Sequence, residues 1–175
     1  AAEQEAQRAK RYVTPLALVM ADIDHFKAIN DAHGHHIGDK VLQHFAQTLS
    51  ASVRTIDLVG RWGGEEFVIL MPGTELDEAV QAAERMRLAV IKAAPPLDDP
   101  GYAYTASFGV AAFSAETPTM ASLFGRADTA LYLAKKNGRN RVEREDAAVP
   151  PALTFRDASA RAPDGGRSPA KAPTD

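Results

Sequence analysis

The chain has 175 residues, enough for one domain with a core of its own, and its 23 acidic and 20 basic side chains give a formal net charge of −3. A charge this close to neutral offers no broad basic surface, so we expect neither DNA nor RNA as a partner and expect a phosphate ligand to be held by local groups. The sequence has no cysteine, which excludes disulfides and thiolate metal sites.

Composition divides the chain into three parts. Residues 1–13 are rich in Ala, Glu, Gln and Arg, which predicts the end of a linker helix. Residues 14–146 carry the apolar patterns of a folded domain. Residues 147–175 are rich in Ala, Pro, Gly and Asp, which predicts a disordered tail. No apolar run is long enough for a membrane segment and no signal peptide is visible, so we expect a cytoplasmic protein.

The first half of the domain predicts a buried strand, two helices and a hairpin. The continuous apolar run Leu16–Ile23 predicts the strand. Residues 26–32 predict a short helix that ends at Gly34 in a left-handed conformation. Apolar side chains spaced as on one helix face predict a second helix over residues 37–52. The pair Gly63-Gly64 predicts a tight turn between strands 57–62 and 66–71, with at least one glutamate at its tip.

The second half predicts helix, strand, helix and a terminal edge strand. Thr74, with Asp77 three residues later, predicts the start of a helix over residues 75–93. A proline-rich loop at 95–101 leads to a strand at 102–113, in which Gly109 predicts a bulge or a close backbone approach. A helix over 123–136, started by Thr119 or Ser122, precedes the edge strand 141–143. This order predicts an α/β (α+β) sandwich, with helices packed around a mixed, mostly antiparallel central sheet.

Acidic side chains mark the ends of two predicted strands. Asp22 and Asp24 end the first strand, and Glu65 and Glu66 follow the turn of the hairpin. Any one of them can be a solvated strand-end carboxylate. Together they predict a divalent-metal platform, which indicates phosphate chemistry. A Gly-Gly-Glu-Glu-Phe string is expected by chance in only one of ~10⁴ chains of this length.

The string Gly63–Phe67 resembles the signature of the GGDEF family, the diguanylate cyclases, which condense two GTP into cyclic di-GMP. The resemblance covers residues 14–143. Further segments carry it in order: Asp22-Ile23-Asp24-His25-Phe26-Lys27 with Asn30-Asp31, Gly34-His35-His36-Ile37-Gly38-Asp39, Thr105-Ala106-Ser107-Phe108-Gly109, Asp128 through Tyr132, Ala134-Lys135 and Gly138-Arg139-Asn140. It implies a fold like that of nucleotidyl cyclases and polymerase palms.

The resemblance also implies a catalytic apparatus built on magnesium, or manganese in its place. Its protein ligands would be Asp22, the carbonyl of Ile23 and Glu65. Glu65 would also be the proton acceptor and Glu66 would support it. Lys27 would stabilise charge in the transition state. Product feedback inhibition is implied as well.

Substrate and product sites are implied by the same family. The groups that would bind GTP are Asn30, His35 and Asp39 for guanine, and His25, Phe26, Lys135 and Arg139 for phosphate. The inhibitory product site would be Arg54, Asp57 and Arg85. Solvated helix-end charges explain Lys135 and Arg139 equally well from the residues alone, and a surface cation explains Arg85.

Two alternatives remain open beside the enzyme. A non-catalytic module that senses GTP or cyclic di-GMP would use the same pocket. Another nucleotidyl cyclase or a polymerase-palm relative would bind metal in the same way but would lack the guanine-binding pair Asn30 and Asp39. Zinc is disfavoured, because His33, His35 and His36 do not have the spacing of two ligands on one helix face. The family's usual Leu-Thr-Gly-Leu-x-Asn-Arg segment is missing upstream, and catalysis would need a homodimer. We therefore expect a mostly monomeric, weakly active piece.

Overall fold

The computed structural model describes residues 14–93, 103–113 and 119–145. The predicted linker helix, proline-rich loop and tail lie outside these ranges. Nine elements follow in chain order: β1 Leu16–Ile23, α1 Phe26–His33, α2 His35–Ala51, β2 Leu58–Gly63, β3 Glu66–Pro72, α3 Leu76–Lys92, β4 Ala106–Ala112, α4 Met120–Lys136 and β5 Val142–Arg144.

The five strands form one sheet in the order β2-β3-β1-β4-β5. The pairings β2–β3, β3–β1 and β1–β4 are antiparallel, and β4–β5 is parallel. This confirms the predicted mixed, mostly antiparallel sheet. β1 occupies the centre, and all eight of its residues are buried, as an uninterrupted apolar run requires.

Helices cover both faces of the sheet. Alternate β1 residues Ala17, Val19 and Ala21 belong to the larger core, which also includes apolar side chains from α1, α2 and α3. Leu18 and Met20 point the other way, into a smaller core closed by α4. The layered architecture predicted from the element order is therefore confirmed.

The hairpin has the predicted acid at its tip. Its turn consists of Gly64, at φ 47°, and Glu65, so Gly63 is the last residue of β2 rather than part of the turn. The ladder register shifts between Arg61 and Gly63, which indicates a bulge at Trp62. The bulge and the two-residue turn together fix where Glu65 leaves the sheet.

Two local predictions need correction. α3 starts from Glu75, not Thr74: the Glu75 and Glu78 side chains form a reciprocal capping box, whereas Thr74 is buried. β4 begins at Ala106, later than predicted, although the backbone carbonyl of Thr105 still accepts a hydrogen bond from the amide of Asp24 (2.9 Å).

Gly109 confirms the predicted close approach. A Cβ at this position would lie 2.2 Å from both the carbonyl oxygen of Ala127 and the amide nitrogen of Leu131. α4 therefore packs with its backbone directly on β4. This contact sets the height of α4 above the sheet and hence the position of Lys135 near the helix end.

Within the described residues, none of the helices has the length and apolar character required to cross a membrane.

Candidate active site at one edge of the sheet

The acids predicted from separate strands meet at one edge of the sheet. Asp22, near the end of β1, lies opposite Glu66 of β3 in the register and opposite Ser107 of β4 on the other side. Glu65 lies in the hairpin turn and directly precedes Glu66, the first residue of β3. The antiparallel pairing of β1 with β3 brings the end of one strand beside the start of the other, so the carboxylates share one edge.

The electrostatics of Asp22 reflect this crowding. The residue is only 5% exposed. The pKa of Asp22 is raised to about 6: burial is the largest cause, the hydrogen bond and charge of Lys135 oppose it, and the charges of Glu65 and Glu66 add to it. The ammonium of Lys135 lies 2.7 Å from Oδ2 of Asp22. A buried carboxylate beside two other acids favours a bound cation, and Lys135 provides one.

The same chemistry suits magnesium. Hard carboxylate and carbonyl oxygens are the ligands that Mg²⁺ prefers, and it commonly takes one or two carboxylates and completes its shell with water and substrate phosphates. Asp22, Glu65 and the Ile23 carbonyl fit such a donor set. Across residues 14–93, 103–113 and 119–145, no group of three or more His, Asp or Glu is placed to hold an ion by itself.

Asp24 differs from Asp22, although the sequence shows them side by side. Its carboxylate accepts hydrogen bonds from the hydroxyls of Thr105 and Ser107, both at 2.7 Å, and from the amide of Asn140 at 3.0 Å. It thereby ties the end of β1 to β4 and to the turn after α4. Asp24 is a structural acid at the edge of the site.

We expect Asp24→Ala to lower the free energy of unfolding by about 3 kcal/mol, because the buried Ser107 hydroxyl and the Asn140 amide would lose their acceptor. Urea denaturation measures the loss. Asp31→Ala, which removes an exposed carboxylate from α1, is the control and should change stability by no more than about 0.5 kcal/mol. Equal, small effects of the two substitutions would contradict the assigned role of Asp24.

The start of α1 lies directly beyond β1. His25 takes a left-handed conformation (φ 57°), and its side chain does not cap the helix. The first-turn amides of α1 are therefore available to an anion beside Asp22. Phe26 is buried and anchors this turn, whereas the Lys27 side chain is exposed.

The predicted guanine residues lie where α1 and α2 meet. Asn30 of α1 packs against Gly38 of α2, where an added Cβ would lie 1.9 Å from the Asn30 side-chain oxygen. His35 and Asp39 are exposed on the first turns of α2. Asp39 also lines a cleft of about 380 Å³ between α2 and β2. Sequence reasoning assigned no role to Gly38, although a glycine inside a helix, which costs about 1 kcal/mol relative to alanine, was a usable signal.

The two phosphate-binding candidates at the end of α4 are placed differently. Lys135 is engaged with Asp22. Arg139 is exposed in the turn after α4, where it adopts φ 60°, and its guanidinium makes no hydrogen bond or ion pair with the part of the chain that the structure describes. The network around neighbouring Asn140 was not predicted from the sequence.

The predicted product-binding residues are only partly assembled. Asp57 and Arg54 close a tight turn: the Arg54 amide donates to Oδ2 of Asp57 (2.8 Å), and the Asp57 amide donates to the Arg54 carbonyl (3.0 Å). Oδ1 of Asp57 is buried and has no hydrogen-bond partner among the described residues. The Arg54 side chain is exposed, as is that of Arg85 on α3.

Comparison with known proteins decides the family. A family model described as the GGDEF domain of diguanylate cyclases matches residues 1–141. The chain belongs to the GGDEF family. This GGDEF domain is 47% identical over 131 residues to the response regulator PleD of Caulobacter vibrioides, which covers 73% of the chain and 29% of PleD. It is 46% identical over 143 residues to the diguanylate cyclase DgcP of Pseudomonas aeruginosa, covering 81% of the chain and 21% of DgcP.

Solved structures agree with the fold of this GGDEF domain. The active GGEEF domain of a diguanylate cyclase from Vibrio cholerae has a TM-score of 0.77 at 35% identity, covering 82% of this chain and 90% of that one. The GGDEF domain of DgcB from Caulobacter crescentus, in complex with c-di-GMP, has a TM-score of 0.76 at 31% identity, covering 81% and 84%. The chain spans less than a third of the length of PleD and of DgcP.

Proposed function

We propose that this GGDEF domain is a diguanylate cyclase: it condenses two GTP into cyclic di-GMP and releases two pyrophosphates, with Mg²⁺ or Mn²⁺ as cofactor. The observation that carries the proposal is the meeting of Asp22 and Glu65 at one sheet edge, with a cation already drawn to Asp22. Family membership and the names of the relatives support it. Because the chain covers only part of those relatives, its own activity needs direct measurement.

The reaction needs the protein to position the two substrates and to neutralise the charge on their phosphates, and it needs no covalent intermediate with the protein. The 3′-oxygen of each GTP attacks the α-phosphorus of the other, so that two new P–O bonds form and the two bonds to pyrophosphate break. Magnesium held by Asp22, Glu65 and the Ile23 carbonyl would supply charge neutralisation for the phosphates and activation of the 3′-hydroxyl. Glu65 accepts the hydroxyl proton, and Glu66 keeps the hairpin end acidic.

The remaining cations and amides bind the triphosphate. Lys27, exposed on the first turn of α1, neutralises charge that develops on the phosphates under attack. The amides of His25 and Phe26 donate to phosphate oxygens at the helix start. Arg139 contributes its exposed guanidinium, and Lys135 neutralises the acidic edge so that an anionic substrate can approach it.

Guanine recognition is assigned to the contact between α1 and α2. The Asp39 carboxylate accepts from guanine N1–H and the 2-amino group, Asn30 provides a further amide contact, and His35 lines the pocket. Adenine lacks the donors that Asp39 requires, so its binding would desolvate the exposed Asp39 carboxylate and leave it unpaired. A site built on such polar pairing rejects the wrong base by a factor of about 10⁴.

We expect Gly38→Ala to weaken GTP binding about tenfold, because the new methyl group takes the place of the Asn30 side chain. Stability should change little, since alanine is the better helix former. Calorimetric titration with a non-hydrolysable GTP analogue measures the affinity. Asn30→Ala should match the loss, and the double variant should add nothing to it. Wild-type affinity in Gly38→Ala would remove Asn30 from the guanine contact.

Catalysis requires two copies of the domain, because each binds one GTP and the two substrates must face each other. The test is to incubate the chain with GTP and Mg²⁺ at increasing protein concentration and to measure cyclic di-GMP by mass-resolved chromatography. The proposal predicts product, with a rate per domain that rises with concentration. Tight GTP binding without product would favour the non-catalytic sensory module, and a constant rate in dilute monomeric samples would contradict the dimer requirement.

Product feedback is assigned to Arg54, Asp57 and Arg85. Oδ1 of Asp57 is buried and has no hydrogen-bond partner in the described part of the chain. This supports the assignment, because such an oxygen favours a ligand that donates a hydrogen bond. The exposed Arg54 in the same turn can donate two hydrogen bonds to the O6/N7 edge of guanine.

We expect Arg54→Ala to weaken cyclic di-GMP binding at least about tenfold, with the loss of two charge-assisted hydrogen bonds as the cause. Titration calorimetry with cyclic di-GMP measures it. The matched control, Arg144→Ala, removes an exposed guanidinium from β5 at the far edge of the sheet and should bind as the wild type does. Unchanged affinity in Arg54→Ala would rule this product site out.

A further inference from the structure

The turn after α4 has an unusual backbone. Gly138, Arg139 and Asn140 follow one another with φ values of 111°, 60° and 47°. A left-handed conformation costs an L-residue other than glycine roughly 1–2 kcal/mol, so two in succession persist only where the surroundings impose them. One constraint is local: the Arg139 amide donates to the Ala134 carbonyl of α4 (3.0 Å).

Asn140 supplies the long-range constraints. Its amide donates to Oδ2 of Asp24 (3.0 Å), next to the acidic edge. Its side-chain oxygen accepts from Nη1 of Arg87 (2.8 Å), and its backbone carbonyl accepts more weakly from the same nitrogen (3.4 Å). Arg87 lies on α3, 53 residues earlier, so a separate helix holds this turn against the active-site edge.

Arg87 is itself held in one orientation. Its Nε and Nη2 donate to the two carboxylate oxygens of Glu84, at 2.8 and 2.5 Å, which leaves Nη1 for Asn140. These hydrogen bonds lower the pKa of Glu84. A planar guanidinium can serve two partners in fixed directions, which an ammonium cannot do. Its side chain is 15% exposed, whereas Arg139 is exposed.

We infer that Arg87 is a positioning residue for substrate phosphate: through Asn140 it fixes the turn from which Arg139 reaches the triphosphate. The inference rests on the proposed function, because it presumes that GTP is the substrate. Glu84 sets the orientation of the Arg87 guanidinium, and Arg87 holds Asn140 in place. Asn140 in turn fixes the backbone of its neighbour Arg139. Arg87 touches no substrate in this account and acts through Arg139.

The experiment measures the affinity of the whole chain for a non-hydrolysable GTP analogue with Mg²⁺, and KM and kcat for GTP. Arg87→Ala should weaken binding about tenfold and raise KM more than it lowers kcat, because the position of a phosphate-binding group is lost. Arg87→Lys should not restore binding, since lysine keeps the positive charge but lacks the planar guanidinium that can donate to two partners in fixed directions. The double variant Arg87→Ala/Arg139→Ala should bind no more weakly than Arg139→Ala alone.

The control Lys92→Ala removes an exposed cation from the same helix and should leave binding unchanged. The inference is overturned if Arg87→Ala lowers only the melting temperature, if Arg87→Lys restores full affinity, or if the two alanine substitutions are additive. If the wild type binds the GTP analogue, Arg139→Ala weakens that binding and Arg87→Ala does not, this inference is overturned and the proposed function remains intact. A wild-type chain that binds no GTP analogue would overturn both.

Discussion

Glu65→Gln should abolish cyclic di-GMP synthesis, with a loss of at least about 10³-fold in kcat. The substitution keeps the size of the side chain but removes a metal-binding carboxylate and the proton acceptor together. The fold should persist, because residue 65 lies in a two-residue turn outside the core. Steady-state product formation at saturating GTP is the measurement.

A second readout separates chemistry from folding in this variant. Glu65→Gln also removes one of the charges that raise the pKa of Asp22, so the melting temperature should be equal to or above that of the wild type. Asp77→Asn, which neutralises an exposed carboxylate on α3, is the matched control and should retain full activity. Product formed by Glu65→Gln at the wild-type rate would remove Glu65 from the mechanism.

Gly109→Ala should cause the largest loss of stability of any single-methyl change considered. Its Cβ would lie 2.2 Å from two backbone atoms of α4 and 2.7 Å from a third. Backbone atoms cannot rotate away as a side chain can, so α4 must move off the sheet. Overpacking costs typically 1–3 kcal/mol and occasionally more; we expect about 3 kcal/mol or more here, which lowers the melting temperature by roughly 10 °C.

Gly60→Ala is the control for this effect. Gly60 also lies in a strand, β2, but an added Cβ there meets nothing within 4 Å. It should change the free energy of unfolding by less than about 1 kcal/mol. Thermal and urea unfolding of both variants gives the comparison. If Gly109→Ala unfolds at the same temperature as Gly60→Ala, α4 does not pack on β4 through its backbone.

Much of the fold could be predicted because its signals are local. The buried run of β1, the apolar spacing of α2 and the glycine pair of the hairpin each specify an element within a few residues. The errors were also local in origin. Thr74 and Glu75 are both plausible helix starts, and the choice depends on Glu78, which closes the capping box. The sequence positions of Thr74 and Glu75 alone do not show which of the two residues caps the helix.

The site was predicted less completely because its contacts are long-range. The register of β1 with β3 places Asp22 beside the hairpin acids. A sequence motif shows that these acids are present but not that they lie close together. The motif could not show that Lys135 binds Asp22 directly, or that the Asp24 carboxylate accepts hydrogen bonds from Thr105, Ser107 and Asn140. Arg87 and Asn140 meet across 53 residues, a pairing that no spacing rule anticipates.

The most direct measurement of the central claim locates the metal. Crystals of the chain with Mn²⁺ and a non-hydrolysable GTP analogue, measured on both sides of the manganese absorption edge, would give an anomalous difference that identifies the manganese. The account predicts a manganese position bounded by the carboxylates of Asp22 and Glu65, with Lys135 displaced from Asp22 or sharing it with the ion. Bound nucleotide with manganese elsewhere, or with Asp22 and Glu65 facing apart, would contradict it.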